Sequence, residues 1–282
     1  MIAALPRLHA VTDDRVMAAG TEGVLERAAA MAAAAGPALA VHVRSRDLEG
    51  AALLDFARRL EEAGAPHGSW LVVNDRADVA RAAGADAVVS GRGGLAVRDV
   101  RRVAPGLPVA RSVHDAAAAR AAEAEDADFL VAGAVFETPS HPALRPGGLE
   151  LIAAAAGGGG GGGRQVIAIG GLTPDNAAQV VAAGAWGVAA IRALWDAPDP
   201  AAAARAFLAV LPDTRTLALV VNGESRAAPE GTTLAGLLEQ LGLDPRAVVV
   251  EHNRRIVRRD GLGGVHLANG DAVELIHFVG GG

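Results

Sequence analysis

The chain has 282 residues, enough for one large barrel or two domains, and its formal net charge of −6 argues against nucleic acid as the main partner. It contains no Cys, no Tyr and no Lys, so all 26 basic side chains are Arg. These absences exclude disulfides, thiolate metal sites, a cysteine nucleophile, Schiff-base chemistry and a Walker-type phosphate loop, because each of these requires Cys or Lys.

Short apolar runs alternate with Ala-rich helical segments between Leu8 and Leu211. The runs are Leu8–Val11, Ala38–Val43, Trp70–Val73, Ala87–Val89, Pro108–Ala110, Phe129–Val131, Val166–Ile169 and Gly187–Ile191. Segments such as Leu53–Ala63 and Ala116–Glu125 lie between them and have the spacing of helices. This alternation predicts an α/β fold, a parallel (β/α)8 TIM barrel, for residues 1–212. A doubly wound open sheet is the alternative.

A run of consecutive glycines, Gly157–Gly163, breaks the alternation of strands and helices. A phosphate-binding glycine loop leads from a strand into the N-terminus of a helix. This run instead leaves the helical segment Leu149–Ala156 and enters a strand. We therefore predict a low-complexity loop on the barrel face opposite the active site.

After Pro212 the pattern changes, and residues 213–282 are predicted to form a small α+β domain of the β-grasp (ubiquitin-like) type. Asn222-Gly223 is a strong hairpin signal after a first strand. Thr232 or Thr233 is expected to cap the helix that follows, and Gly242 to end it. The other predicted segments are strands at Thr216–Val221, Ala247–Glu251 and Ala272–Val279, and a helix at Thr233–Leu241.

The last strand runs into a glycine tail that ends in Gly281-Gly282. Glycine has no side chain and reaches backbone conformations closed to other residues. Such a tail can enter a narrow enzyme cleft and present its terminal carboxylate for chemistry. A frayed chain end is the alternative interpretation.

Polar residues at the ends of the predicted barrel strands are the candidates for catalysis, because TIM barrels bind substrates there. They are Thr12, Asp13, Asp14, His42, Arg44, Arg46, Asn74, Asp75, Arg76, Ser112, His114, Glu137, Thr138 and His141. Among them, His114 is the candidate for proton transfer, since an imidazole can take up and return a proton near neutral pH. A structural or merely exposed histidine is the alternative.

Two features predict anion binding. Gly170-Gly171 follows the seventh strand, and with the backbone near Ala190 and Ile191 it forms the candidate phosphate site, a plain turn being the alternative. Arg44 and Arg46 alternate along the second strand and are expected to point the same way, toward a phosphate or carboxylate. Rim salt bridges to nearby aspartates are the alternative for these arginines.

Six stretches of the first domain resemble the thiamine phosphate synthase and TenI superfamily of barrels. They are RLHAVTDD (Arg7–Asp14), AVHVRSRD (Ala40–Asp47), VVNDRADVA (Val72–Ala80), ARSVHD (Ala110–Asp115), DADFLVAGAVFET (Asp126–Thr138) and VIAIGGLTPDN (Val166–Asn176). The resemblance covers nearly all of residues 7–211.

The synthase branch of this superfamily binds a pyrophosphate and Mg²⁺, and here its motifs are altered. Its Gln-Leu-Arg-x-Lys pattern reads His42-Val43-Arg44-Ser45-Arg46. Its metal-binding Asp after the fourth strand is Gly94, and its Lys after the sixth strand is His141. Only Asp75 survives as a metal carboxylate, so no metal and no cofactor are expected.

The TenI branch matches better, because its proteins are thiazole tautomerases with a Ser-Val-His motif. That motif corresponds to Ser112-Val113-His114, and the resemblance implies that His114 is the acid and base. The implied reaction converts a thiazole phosphate carboxylate to its aromatic tautomer, with Asn74 among the residues of the substrate pocket.

The second domain resembles the sulfur carrier ThiS. The matching stretches are VVNGESR (Val220–Arg226), TLAGLLEQLGL (Thr233–Leu243), VVVEHN (Val248–Asn253) and ANGDAVELIHFVGGG (Ala268–Gly282). The resemblance implies a terminal glycine that a ThiF-like enzyme adenylates, a thiocarboxylate at that glycine, and delivery of sulfur to a ThiG-like thiazole synthase.

The two resemblances together predict a bifunctional protein of the thiazole branch of thiamine biosynthesis. A thiamine phosphate synthase fused to the carrier is one alternative, and a non-catalytic barrel that only docks the carrier is another. A cytoplasmic protein without a membrane partner is expected, because no apolar run reaches the roughly 18 residues that span a bilayer. The sequence leaves homo-oligomer formation open.

Overall fold

The structure is a computed structural model that describes residues 5–18, 20–48, 50–138, 145–157, 164–212, 216–229, 232–246 and 248–277. The chain divides into two compact units, the first of which ends at Pro212. His141, all of the glycine run after Gly157, and the Gly281-Gly282 pair lie outside the described residues. Within the described ranges, no helix is both long and apolar enough to cross a membrane.

The first unit is a closed barrel of parallel strands. The strands are β1 (Leu8–Val11), β2 (Leu39–Val43), β3 (Trp70–Asn74), β4 (Ala87–Ser90), β5 (Val109–Val113), β6 (Phe129–Gly133), β7 (Gln165–Ile169) and β8 (Gly187–Ala190). Each pairs with its neighbour in sequence, and β1 also pairs with β8, which closes the barrel. The predicted TIM barrel is confirmed, and the open-sheet alternative is wrong.

Helices surround the barrel and cover its outer face. They are α1 (Asp14–Ala18), α2 (Thr21–Ala35), α3 (Gly50–Gly64), α4 (Ala77–Ala83), α5 (Val97–Val103), α6 (Ala116–Ala124), α7 (Gly148–Ala155), α8 (Pro174–Ala182), α9 (Arg192–Trp195) and α10 (Pro200–Val210). One apolar core lies between strands and helices, and a second fills the barrel interior around Phe129, Val131 and Ile167. Side chains along each strand point alternately to the barrel interior and to the helices, so each strand contributes to both cores.

The structure corrects the placement of three cavity residues relative to their strands. Strand β2 ends at Val43, so Arg44 and Arg46 do not alternate along a strand as predicted. The reason is that Thr12 Oγ1 accepts the Arg44 N–H at 2.9 Å and Asp14 Oδ1 accepts the Arg46 N–H at 2.6 Å, in place of ladder bonds. Strand β8 likewise ends before Ile191, which begins the turn into α9.

The second unit is a five-stranded mixed sheet with one helix, the predicted β-grasp arrangement. Its elements are β9 (Thr216–Val221), β10 (Glu224–Pro229), α11 (Leu234–Gln240), β11 (Val248–His252), β12 (Arg255–Val257) and β13 (Ala272–His277). The strand order is β10-β9-β13-β11-β12, with β13 parallel to β9. The short strand β12 was missed by the sequence analysis.

The predicted hairpin turn and the predicted helix cap of the second unit are confirmed. Asn222 and Gly223 both have positive φ, as a type I′ hairpin turn requires, and they join β9 to β10. Thr233, rather than Thr232, caps α11, since its Oγ1 accepts the Gly236 N–H at 3.2 Å. Leu234, Leu237 and Leu238 bury the inner face of that helix against the sheet.

Candidate functional site

A cavity of about 1200 Å³ opens at the C-terminal ends of the barrel strands. It brings together eight of the residues predicted for the site, namely Arg44, Arg46, Asn74, His114, Gly170, Gly171, Ala190 and Ile191. Its deeper wall is apolar and is formed by inward-facing strand residues such as Val11, Val89, Val131 and Ile169. The arrangement suits a flat ring with polar groups at its edges.

His114 lies at the cavity directly after β5, and its ring is held in one orientation. Nδ1 donates a hydrogen bond to the carbonyl oxygen of Gly133, the last residue of the adjacent strand β6. In a neutral imidazole this leaves the lone pair on Nε2. His114 therefore has the tautomer of a general base, while Ser112 lies beside it on the same cavity wall.

The ends of β7 and β8 offer hydrogen-bond donors to an anion. Gly170 and Gly171 have φ values of 103° and 67°, which favour glycine, and an added Cβ at Gly171 would lie 2.5 Å from the Glu137 carbonyl oxygen. Both glycines line the cavity, as do Leu172 and Ile191. Within the described residues, the backbone N–H groups of Gly171, Leu172 and Ile191 donate to no acceptor.

The cavity wall carries four arginines, Arg44, Arg46, Arg92 and Arg192, against two carboxylates, Asp75 and Glu137. In the part of the chain that the structure describes, none of these guanidinium groups forms an ion pair. The rim salt bridges considered for Arg44 and Arg46 are therefore not seen there. The chain is acidic overall, yet this cavity wall carries an excess of positive charge.

Arg192 and Arg92 were missed by the sequence analysis. Arg192 is the residue after Ile191, so extending the candidate list by one position past β8 would have included it. Its Nε is buried and has no hydrogen-bond partner among the described residues. A buried charged donor without an acceptor is costly, so a bound anion would stabilise this side chain.

Two buried histidines connect Asn74 to the barrel interior, and one of them, the predicted candidate His42, also lines the cavity. His9 Nε2 lies 3.0 Å from the Pro6 carbonyl oxygen and Nδ1 lies 2.7 Å from His42 Nε2. His42 Nδ1 in turn lies 3.3 Å from the side-chain amide of Asn74. This chain of contacts fixes the Asn74 amide at the cavity. His9 was also missed, although its parity with the inward-facing Val11 predicts that it faces the interior.

Burial keeps both histidines neutral. Desolvation lowers the pKa of His9 to about 4, although the hydrogen bond to the Pro6 carbonyl oxygen partly opposes this shift. Desolvation also lowers the pKa of His42 well below its usual range, and the nearby His9 lowers it further. The pair therefore positions Asn74 and does not serve as a proton donor at neutral pH.

We predict that the free energy of unfolding of the barrel falls as the pH drops from the ordinary histidine pKa, about 6.5, toward 4. The unfolded chain binds protons that the folded one excludes, so this stability is present at higher pH and lost on acidification. His9 alone accounts for about 3 kcal/mol. Urea unfolding of wild type and His9→Leu, followed by fluorescence of Trp70, Trp186 and Trp195, measures this. An identical pH dependence in both proteins would contradict it.

Four polar candidates, Thr12, Asp13, Asp14 and Arg76, make contacts that fix loops near the cavity. Asp13 Oδ1 accepts the Val16 N–H, Asp14 holds the backbone of Arg46, and Arg76 pairs with Asp78. Thr12 is buried and bridges β1 to the end of β2. These residues shape the cavity rim without lining the cavity.

Comparison with known proteins assigns both units. The family model TMP-TENI, described as thiamine monophosphate synthase, matches residues 8–194, and the ThiS family model matches residues 213–282. The chain belongs to the TMP-TENI family of thiamine biosynthesis. Its C-terminal unit is a ThiS family domain.

Individual relatives agree with this assignment to the TMP-TENI family. The bifunctional protein ThiM/ThiE of Symbiobacterium thermophilum is 43% identical over 60% of this chain but only 35% of its own length. A thiamine-phosphate synthase of Methanoculleus marisnigri is 40% identical over 71% of this chain and 92% of its own. The structure of thiamine phosphate pyrophosphorylase from Pyrococcus furiosus has a TM-score of 0.63 at 26% identity, covering 76% of this chain and 99% of that one.

The residues present do not fit the Mg²⁺ that the synthase branch of the TMP-TENI family implies. Mg²⁺ requires several oxygen ligands in near-octahedral geometry. Here Asp75 Oδ1 accepts the Gly91 N–H at 2.6 Å, and Gly94 supplies no side chain. Among the described residues there is no cluster of three His, Asp or Glu able to hold a metal.

Proposed function

We propose that the barrel is a thiazole tautomerase, acting on the non-aromatic tautomer of a thiazole phosphate carboxylate. The observation that carries the proposal is His114, which lines the cavity with its Nδ1 committed to Gly133 and its Nε2 available as a base. The arginine-rich wall and the poor fit to a divalent metal support the same reaction, since tautomerisation needs bound anions and a proton carrier only.

In the proposed reaction the phosphate lies against Gly170, Gly171 and the N–H groups at the end of β7. The ring rests on the apolar wall, and Asn74 and Arg44 or Arg46 contact its polar edge. His114 Nε2 takes the ring proton, the double bonds shift, and the same proton is delivered to the exocyclic carbon. Atoms and electrons balance, and aromaticity favours the product.

Arg192 gives this binding mode a direct test. We predict that Arg192→Gln raises KM for the phosphorylated substrate about tenfold or more and changes kcat less, because charge-assisted hydrogen bonds to the anion are lost. Steady-state kinetics measure the two constants. Arg205→Gln is the matched control, since this exposed arginine on α10 pairs with Asp199 and does not line the cavity. A KM equal to that of wild type would remove Arg192 from the phosphate site.

A thiamine phosphate synthase is the second candidate, favoured by the names of the relatives and by a cavity with room for more than one small substrate. One mixture separates the two functions. The protein receives the thiazole tautomer, pyrimidine pyrophosphate and Mg²⁺, and mass spectrometry identifies the products. Aromatic thiazole phosphate carboxylate without the condensed product supports the tautomerase. Rapid condensation contradicts it.

We further propose that the ThiS domain carries sulfur as a thiocarboxylate on Gly282. The family match over residues 213–282 supports this, and the described sheet and helix provide the compact body of a carrier. The proposed partners are a ThiF-like adenylating enzyme, which makes the carboxylate oxygen a leaving group, and a ThiG-like thiazole synthase, which accepts the sulfur.

A further inference from the structure

The loop that joins β4 to α5 is held in place by contacts at both of its ends. The Asp75 carboxylate accepts the Gly91 N–H at 2.6 Å, and Ser90 Oγ donates to the Leu95 carbonyl oxygen at 2.6 Å. Arg111 Nη1 donates to Ser90 Oγ at 2.9 Å and to the Gly91 carbonyl oxygen at 3.1 Å. We call this group of contacts the loop brace.

Gly94 packs so closely into the loop brace that a side chain at this position would require the brace to shift. A Cβ at this position would lie 2.6 Å from Asp75 Oδ1 and 2.6 Å from Ser90 Oγ. The metal-binding Asp that the synthase resemblance places here would therefore displace the two side chains that hold the loop. The loop brace as it stands and a side chain at position 94 therefore compete for the same space.

Arg92 lies in the braced loop and lines the cavity together with the proposed catalytic base, His114. It borders the main cavity and also a side pocket of about 190 Å³, and the two cavities share Arg92, Ser112 and His114. Its guanidinium forms no hydrogen bond or ion pair with any residue in the described ranges. The loop brace thus presents an uncommitted cation on the His114 side of the cavity.

We infer that Arg92 binds a second anionic group of the ligand, a carboxylate, and supplies there the positive charge that a divalent metal cannot. The inference rests on the proposed function for the identity of that carboxylate. A guanidinium matches a carboxylate in shape and forms paired hydrogen bonds with it. It also opposes the negative charge that develops when the ring proton leaves. Arg192 and Arg92 then serve the two anionic groups at opposite ends of one ligand.

Calorimetric titration in EDTA with two stable ligands tests this, namely the aromatic thiazole phosphate with and without its carboxylate. Wild type should bind the carboxylated ligand more tightly, and Arg92→Gln should reduce that preference about tenfold or more while leaving affinity for the other ligand unchanged. Arg98→Gln, on the exposed side of α5, is the matched control and should keep the preference.

The Asp75→Ala variant distinguishes the effect of losing the loop brace from the effect of losing one negative charge. Removal of a carboxylate from the cavity wall would by itself tighten anion binding, whereas loss of the brace would release Arg92 and weaken it. We expect the weaker binding. A preference that persists in Arg92→Gln, is absent in wild type, or appears only with Mg²⁺ would overturn the inference. Both ligands are unreactive, so a failure of tautomerisation with the preference intact would count against the proposed function alone.

Discussion

His114→Asn is expected to lower kcat for tautomerisation by about 10²–10⁴-fold, the usual contribution of a positioned general acid and base. Asparagine is similar in size and its amide can still donate to the Gly133 carbonyl oxygen, so the local structure is kept. It has no basic nitrogen, however, and cannot take the ring proton. The rate of aromatic product formation at saturating substrate measures the effect.

The control for this variant is His67→Asn, which replaces an exposed histidine that does not line the cavity. It should retain wild-type kcat. Unchanged binding of the aromatic product by His114→Asn would show that the pocket is intact. Full turnover by His114→Asn would remove His114 as the catalyst.

Deletion of Gly281 and Gly282 is expected to abolish sulfur carriage completely while leaving turnover by the barrel unchanged. A carboxylate becomes electrophilic only when its oxygen is made a leaving group, and glycine allows the chain to enter the cleft where adenylation takes place. The intact protein is incubated with a ThiF-like enzyme, ATP and a sulfur donor. Mass spectrometry should show exchange of one oxygen for sulfur, confined to the C-terminal peptide.

An authentic ThiS protein in the same mixture serves as the positive control for this reaction. If it gains sulfur and the intact chain does not, the carrier proposal fails and the domain becomes a docking module. If the truncated protein still gains sulfur, the modified group lies elsewhere in the chain.

The barrel was predictable from sequence because its signal is repeated. Each β-strand is a short apolar run, and each run is followed by a helical segment, so errors of one to three residues at strand ends did not disturb the topology. Parallel closure then places all C-terminal strand ends at one face. For this reason His114, Asn74 and Gly170, which are far apart in sequence, line the same cavity.

Features that depend on contacts between loops could not be predicted in this way. Hydrogen bonds to Thr12 and Asp14 end β2 before Arg44. Arg44 and Arg46 therefore both reach the cavity, but not because they alternate along a strand as predicted. The role of Arg92 depends on the contact of Gly94 with Asp75 and Ser90, which no pattern of single residues encodes. The sequence showed Gly94 only as a lost metal ligand.

The most direct test of the central claim is the rate of aromatisation of the thiazole phosphate carboxylate by the wild-type protein in EDTA, followed by proton NMR. The proposed site holds its ligand with arginines and backbone N–H groups and moves the proton with His114. It therefore predicts that the protein accelerates formation of the aromatic tautomer without any divalent metal. A rate equal to that in buffer, or acceleration only after Mg²⁺ is restored, would contradict the account.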